Sequence, residues 1–181
     1  MAFLWLQDIA GEANLNATLK EFLNTGFKQP LLAKHLLHNL YATTPDSIHS
    51  GIKDFFESTV LYENQLLQTG YRKNGQGTFD VILHIKSDKV SVDSAGVEHP
   101  ITPNDWLDVV VYAYDKSGKE TAVYSNRHHI KENLTVISLT LEQPPSRVHI
   151  DPMCKYPDKH AHDNQQKPKE FVEFADVLLD F

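Results

Sequence analysis

The sequence predicts an α+β protein, in which short antiparallel helices precede an antiparallel, immunoglobulin-like β-sandwich. Two observations lead to this prediction. Residues 1–57 carry apolar side chains at helical spacing, whereas residues 58–151 carry roughly six or seven short alternating runs separated by turn residues. Regularly spaced short strands of this kind are typical of a sandwich. Residues 152–181 are predicted to be a polar tail with a short terminal helix built on Phe171, Phe174, Val177 and Leu178.

The run from Asp105 to Asp115 is predicted to be the central strand of the sandwich. Turn-forming residues bound it on both sides, with Pro103 before it and Gly118 after it. Successive side chains of a strand face opposite sides, so one face of this strand should be apolar and the other aromatic and partly wet. The two sets are Leu107, Val109, Val111 and Ala113, and Asp108, Val110, Tyr112 and Tyr114.

Four short helices are expected in the first 57 residues. The first should end near Gly11 and the second, capped by Asn14 or Asn16, at Gly26. The third should start near Pro30, and its apolar run through Tyr41 predicts a buried helix.

The fourth helix has a strong start signal. Thr44 is the expected cap and Pro45 the expected first residue, with a buried stripe of Ile48, Ile52, Phe55 and Phe56. Further along the chain, Asn74-Gly75 predicts a hairpin between the first two strands.

Composition excludes several functional classes. The net charge of −7 argues against a nucleic-acid surface, which needs a basic stripe. No window approaches the roughly 18 apolar residues of a membrane span. The single cysteine, Cys154, excludes an internal disulfide.

The chemical motifs are few, and we predict no catalytic, cofactor-binding or metal-binding residue in the chain. Ten histidines suggest a metal site, yet His-Glu-x-x-His is absent, and His128-His129 with Glu132 has the wrong order. His160 and His162 could bind a metal weakly, although a solvated polar tail is favoured. Cys154 is interpreted as a bystander, and Asp105 and Asp108 should point to opposite strand faces.

Several short segments, taken in order, resemble the C-terminal part of zinc aminopeptidases of the aminopeptidase-N-like superfamily. The similarity is to the bacterial branch in which the peptidase follows an ABC-transporter-type permease. It covers roughly residues 1–164. The segments are residues 6–12 (LQDIAGE), 44–47 (TPDS), 54–57 (DFFE), 61–64 (LYEN), 105–109 (DWLDV), 143–145 (QPP), 150–152 (IDP) and 163–164 (DN).

The resemblance implies a parent enzyme that removes N-terminal residues from peptides with a zinc-activated water. In that reading residues 1–57 are a remnant of the catalytic domain, and the chain itself is non-catalytic and holds no cofactor. Its partners would be the upstream catalytic domain and the membrane spans of the same parent chain. The parent would lie in a bacterial inner membrane with this region soluble, and the isolated fragment is expected to be soluble and to self-associate through its first helix.

The alternative is a stand-alone binding module with a helical cap. In this reading an aromatic sandwich face formed by Tyr112, Tyr114 and Tyr124 engages a protein or a small ligand. Because sandwich folds host many functions, the fold alone does not choose between the two.

Overall fold

The structure, a computed structural model, describes residues 1–26, 30 and 32–171. It confirms an α+β fold with short helices and a sandwich-like pair of mainly antiparallel sheets. The helices are α1 (Ala2–Ala10), α2 (Glu12–Gly26), α3 (Ala33–Thr43) and α4 (His49–Phe56), with 3-10 turns at Asp46–Ile48 and Ala161–Asp163. The strands are β1 (Val60–Lys73), β2 (Phe79–Val92), β3 (Glu98–Pro100), β4 (Asp105–Tyr114), β5 (Glu120–Ile130), β6 (Leu134–Leu141), β7 (Arg147–Ile150), β8 (Gln165–Gln166) and β9 (Lys169–Glu170).

The chain divides into two compact units, each assembled from segments that are distant in sequence. The helical unit comprises Met1–Val60, Ser91–His99 and Lys155–Pro157. The sandwich unit comprises Leu61–Val90, Pro100–Cys154 and Asp158–Phe181. None of the helices in the described part of the chain is long and apolar enough to cross a membrane.

The core of the helical unit forms around Trp5. Its indole N–H donates to the hydroxyl of Tyr156 at 3.2 Å, and its ring packs 4.8 Å from that of Phe55. Gly51 on α4 leaves space for the indole, because a Cβ built there would lie 2.3 Å from a ring carbon of Trp5. Nearby, the ammonium group of Lys155, which is buried, donates to Asp8 at 2.5 Å.

One helix boundary agrees with the predictions and two do not. Gly11, at φ 85°, ends α1 as predicted, and α2 is described as far as Gly26. The predicted cap of α2 is wrong, since this helix already begins at Glu12. The predicted cap at Thr44 is also wrong, because its hydroxyl donates back to the carbonyl of Leu40 and closes α3.

The third helix is not buried all round as predicted. It begins at Ala33, and Leu40 is its only buried residue. One side of the helix remains accessible to solvent because it carries the polar residues Lys34, His38 and Asn39. This helix is therefore a surface helix with a narrow apolar contact.

The strands of the described residues form two sheets. The first has the order β3-β2-β1-β9, with β6 also paired to β2, and the second has the order β5-β4-β7-β8. The prediction of β4 as a central strand is confirmed, with β5 on one side and β7 on the other. The interior residues come mainly from alternate positions of β2 and β4, and the fully buried ones include Val81, Leu83, Ile85, Leu107, Val109, Val111 and Ala113.

The segment after β7, predicted to be a polar tail, contains two short strands. Asn164 is buried, and its carbonyl accepts a hydrogen bond from the N–H of Ile150. Next to it β8 pairs antiparallel with β7, and β9 pairs parallel with β1. Phe171 then lies against Gly70 of β1, where a Cβ would come within 2.7 Å of the ring. The predicted terminal helix lies outside the described residues from Phe174 onward.

Candidate interaction surface

Many polar and aromatic side chains lie on one surface of the β5-β4-β7-β8 sheet, opposite its buried side, and we call this surface the outer face. Even-numbered residues of β4 point to it, opposite the buried set, because side chains alternate along a strand. Directly opposed residues of neighbouring antiparallel strands share a face, so the register adds partners from β5 and β7. The face contains Trp106, Asp108, Val110, Tyr112 and Tyr114 of β4, Glu120, Ser125, Arg127 and His129 of β5, and Arg147 and His149 of β7.

One end of the outer face is an aromatic stack. The rings of Trp106 and His129, which are opposed in the register, lie 4.4 Å apart and nearly parallel, at 13°. The other side of the imidazole is fixed, because its Nε2 lies 2.8 Å from the Oδ1 of Asn104. Burial and the charge of Lys131 lower the pKa of His129, while Asp105 opposes the shift. The ring therefore favours its neutral form.

The other end holds an arginine in a fixed orientation. The guanidinium carbon of Arg147 lies 3.9 Å from the centre of the Tyr112 ring, and its nitrogens donate to Glu120 at 2.8 and 3.2 Å. Glu120 also accepts a hydrogen bond from the hydroxyl of Ser146 at 2.7 Å. The hydrogen bonds from Arg147, which have the largest effect, and from Ser146 hold the pKa of the Glu120 carboxyl below its usual value. A second cross-strand pair joins Arg127 to Asp108 at 3.0 Å.

The predicted aromatic face of Tyr112, Tyr114 and Tyr124 is wrong in its third member. The register places Tyr124 opposite Val111, on the inner face of the sheet. Its hydroxyl lies 2.8 Å from the Nε2 of His128, which is likewise opposite an inner residue. The sequence shows that both strands alternate, but it does not show which residues of β5 and β4 are opposed.

A buried ion pair lies inside the sandwich unit, and the sequence analysis missed it. The ammonium group of Lys89 donates to both carboxylate oxygens of Asp105 at 3.0 Å, and the Tyr62 hydroxyl donates to the same carboxylate at 3.2 Å. The exposed fractions of the Lys89 and Asp105 side chains are only 4% and 11%. A signal was present, because Lys89 continues the inward-facing series Val81, Leu83, Ile85 and Ser87 on β2.

The histidine and cysteine candidates do not converge. His128 and His129 point to opposite sides of β5, and Glu132 is exposed in the following turn. His160 and His162 are both exposed, with ring centres 6.0 Å apart. Cys154 is exposed and ends a turn in which its N–H donates to the carbonyl of Asp151. Across residues 1–26, 30 and 32–171, no three His, Cys, Asp or Glu side chains form a group able to hold a metal ion.

The two acidic residues of the central strand occupy opposite faces, as predicted. Asp105 pairs with Lys89 inside the sandwich, whereas Asp108 pairs with Arg127 outside. Both carboxylates are therefore paired with cations and are separated by the sheet. Carboxylates on opposite faces of a sheet cannot act on the same substrate atom, so this arrangement is unsuited to paired acid–base catalysis.

Comparison with known proteins does not identify a family for this chain. No family model matches this chain, and no curated protein matches it. A functional interpretation therefore depends on two structural features of the chain. One is the outer face with its stacked rings and paired charges. The other is the set of exposed apolar side chains of the helical unit, among which are Phe3, Leu4, Leu23 and Leu32.

Proposed function

We propose that this chain is the C-terminal supporting part of a membrane-associated zinc aminopeptidase and has no peptidase activity of its own. The observation that carries the proposal is the two-sided apolar character of α1. Trp5 and Leu6 are buried within the helical unit, yet Phe3 and Leu4 on the same helix are 46% and 40% exposed. Residues 2–6 of α1 are all apolar, so their side chains point to every side of the helix, a pattern typical of a helix that is covered on all sides. The uncovered side suits a missing catalytic portion.

The roles of the resembling segments agree with support rather than chemistry. Asp8, in the segment at residues 6–12, forms an ion pair with Lys155, which lies between the segments at residues 150–152 and 163–164. In these last two segments Asp151 and Asn164 are buried, and their backbone groups bond to strands, Asp151 to Asp108 and Asn164 to Ile150. Backbone bonds of this kind position neighbouring segments of the chain.

The zinc of the parent would be held by residues outside this chain, in a His-Glu-x-x-His motif and a downstream glutamate. Bound there, it would supply the activated water that cleaves the peptide bond. The described residues offer no ligand set for it. The contribution of this chain is to hold the catalytic portion through the apolar side of α1.

The first experiment measures hydrolysis of aminoacyl reporter substrates by the purified chain, with and without added zinc. We expect no hydrolysis in either condition. Zinc-dependent turnover by the chain alone would overturn the proposal.

A second experiment tests the supporting role directly. The reading frame upstream of Met1 should encode His-Glu-x-x-His and membrane spans, and its soluble part can be expressed separately and mixed with this chain. We expect a complex with zinc-dependent activity, which Leu4→Asp weakens and Ser125→Asp, on an exposed position of β5, does not. Equal effects of the two variants would argue against docking through α1.

The second candidate, a stand-alone binding module, is favoured by one feature of the outer face. Tyr114 is exposed beside the fixed Arg147–Tyr112 stack, and Trp, Tyr and Arg side chains dominate the energetics of many protein interfaces. A transcript that starts just before Met1, with no zinc motif in its frame, would favour this candidate over the first.

A further inference from the structure

The edge strands of the two sheets differ sharply in their protection against pairing with another strand. A free strand edge exposes a row of backbone N–H and C=O groups, and proteins usually protect it with short length, charge, proline or a bulge. Of the five edge strands in the described part of the chain, four show such protection. The strands β8 and β9 have two residues each, β3 has three and includes Pro100, and β5 has a register shift opposite Val111 and Tyr112.

The fifth edge strand, β6, has none of these devices. Its eight residues, LTVISLTL, include no charge, proline or glycine, and five of the eight are Leu, Val or Ile. It pairs with β2 in an unbroken register from Leu134 to Leu141. Within the described ranges it has no other strand partner, and β9, from which the chain continues, lies beyond β1 on the other side of β2.

The side chains of β6 also favour contact beyond its own sheet. Leu134 and Val136 point outward and are 58% and 55% exposed. On the inner side Ile137 and Leu139 extend the sandwich core to the very edge, opposite Leu83 and Val81. A strand added beside β6 would therefore bury apolar side chains on both faces while pairing the free backbone groups.

We propose that β6 pairs with β6 of a second copy of this chain, antiparallel and edge to edge, to form one continuous sheet across a two-fold axis. The strand carries no charge, so two copies meet there without repulsion despite the negative charge of the whole chain. This inference does not rest on the proposed peptidase origin.

The register of the pair follows from the alternation and the flanking acids. Opposed residues must share a face, which allows pairs centred on Ile137 or on Ser138. Centring on Ile137 would place Glu132 opposite Glu142 of the second copy, a like-charge contact. Centring on Ser138 avoids this contact and opposes Ile137 to Leu139 of the second copy. At the axis, Ser138 faces its own equivalent on the exposed outer side.

The decisive experiment uses the fact that Ser138 lies opposite Ser138 of the second copy. Analytical ultracentrifugation of the full chain should show a reversible dimer, and Ser138→Lys or Ser138→Asp alone should each weaken it by at least about tenfold, because like charges then meet at the axis. An equimolar mixture of the two variants should restore the dimer. Ser94→Lys, at an exposed position of the turn between β2 and β3, is the matched control and should leave the dimer unchanged.

Several outcomes would overturn the proposal. One is a wild-type chain that stays monomeric up to its solubility limit, and another is a Lys–Asp mixture that fails to re-associate. A dimer abolished by Leu4→Lys and untouched by Ser138→Lys would assign association to the helical unit instead. Hydrogen exchange gives an independent readout. Protection of backbone amides from exchange should rise with protein concentration only in residues 134–141. Circular dichroism of each variant confirms that the exposed substitutions leave the fold intact.

Discussion

Replacing Lys89 by methionine should destabilise the sandwich unit strongly, although it removes only one charge. The Lys89–Asp105 pair is nearly inaccessible to water, so the substitution leaves the Asp105 carboxylate buried without its cation. Removing one partner of a buried pair costs about 3–5 kcal/mol. Asp105 keeps hydrogen bonds from the Tyr62 hydroxyl and from the backbone N–H of Asn104, so we expect the lower end, about 3 kcal/mol.

The matched variant neutralises both partners. In Lys89→Met/Asp105→Asn no charge remains buried, and the asparagine oxygen can still accept from Tyr62. Replacing a whole buried pair by neutral groups is often nearly neutral, so the double variant should return to within about 1 kcal/mol of the wild type.

Each unit contains one of the two tryptophans of the chain, which makes the measurement specific. In a Trp5→Phe background, Trp106 reports unfolding of the sandwich unit in urea. A single variant within about 0.5 kcal/mol of its background, or a double variant no more stable than the single one, would refute the reasoning about buried charge.

Three further predictions follow from the packing and the pKa values. Gly51→Ala should lower the unfolding free energy by about 1–2 kcal/mol, net of the gain in helix propensity, because Trp5 is held on three sides; urea unfolding followed by circular dichroism measures it. Burial and the hydrogen bond to Glu57 raise the pKa of Tyr41 to about 12, so stability should fall as pH rises from 10 to 12, and Glu57→Gln should lower the pKa in an ultraviolet titration. Burial lowers the pKa of His84 below 6.5, so the sandwich unit should lose stability as pH falls below that value, and less so in His84→Leu.

Much of the fold was predictable because local patterns determined it. The alternation in residues 105–115 gave β4 and its buried face, and Asn74-Gly75 gave the hairpin between β1 and β2. The short, regularly spaced strands gave the sandwich. These signals depend on the side-chain period and on turn chemistry, which are properties of neighbouring residues.

What the sequence did not reveal depends on long-range pairing. Tyr124 was assigned to the wrong face because only the register of β5 against β4 decides its direction. The partner of Lys89 was missed because a lysine on an inward position signals a buried cation without naming its acceptor. The polar residues before β8 were predicted to belong to a polar tail, although Asn164 is buried between strand ends. In each case the deciding contact lies far away in sequence.

The timing of synthesis sets a limit on when this protein can finish folding. Trp5 leaves the ribosome well before Tyr156, which accepts its hydrogen bond and is made 151 residues later. The hydroxyl of Thr69 likewise donates to the side-chain oxygen of Gln166, which is made 97 residues later. Because the ribosomal tunnel shields the newest stretch of a nascent polypeptide, neither unit can complete these contacts until Tyr156 and Gln166 have left the tunnel. A nascent chain stalled before Lys155 should therefore remain protease-sensitive in its first helix.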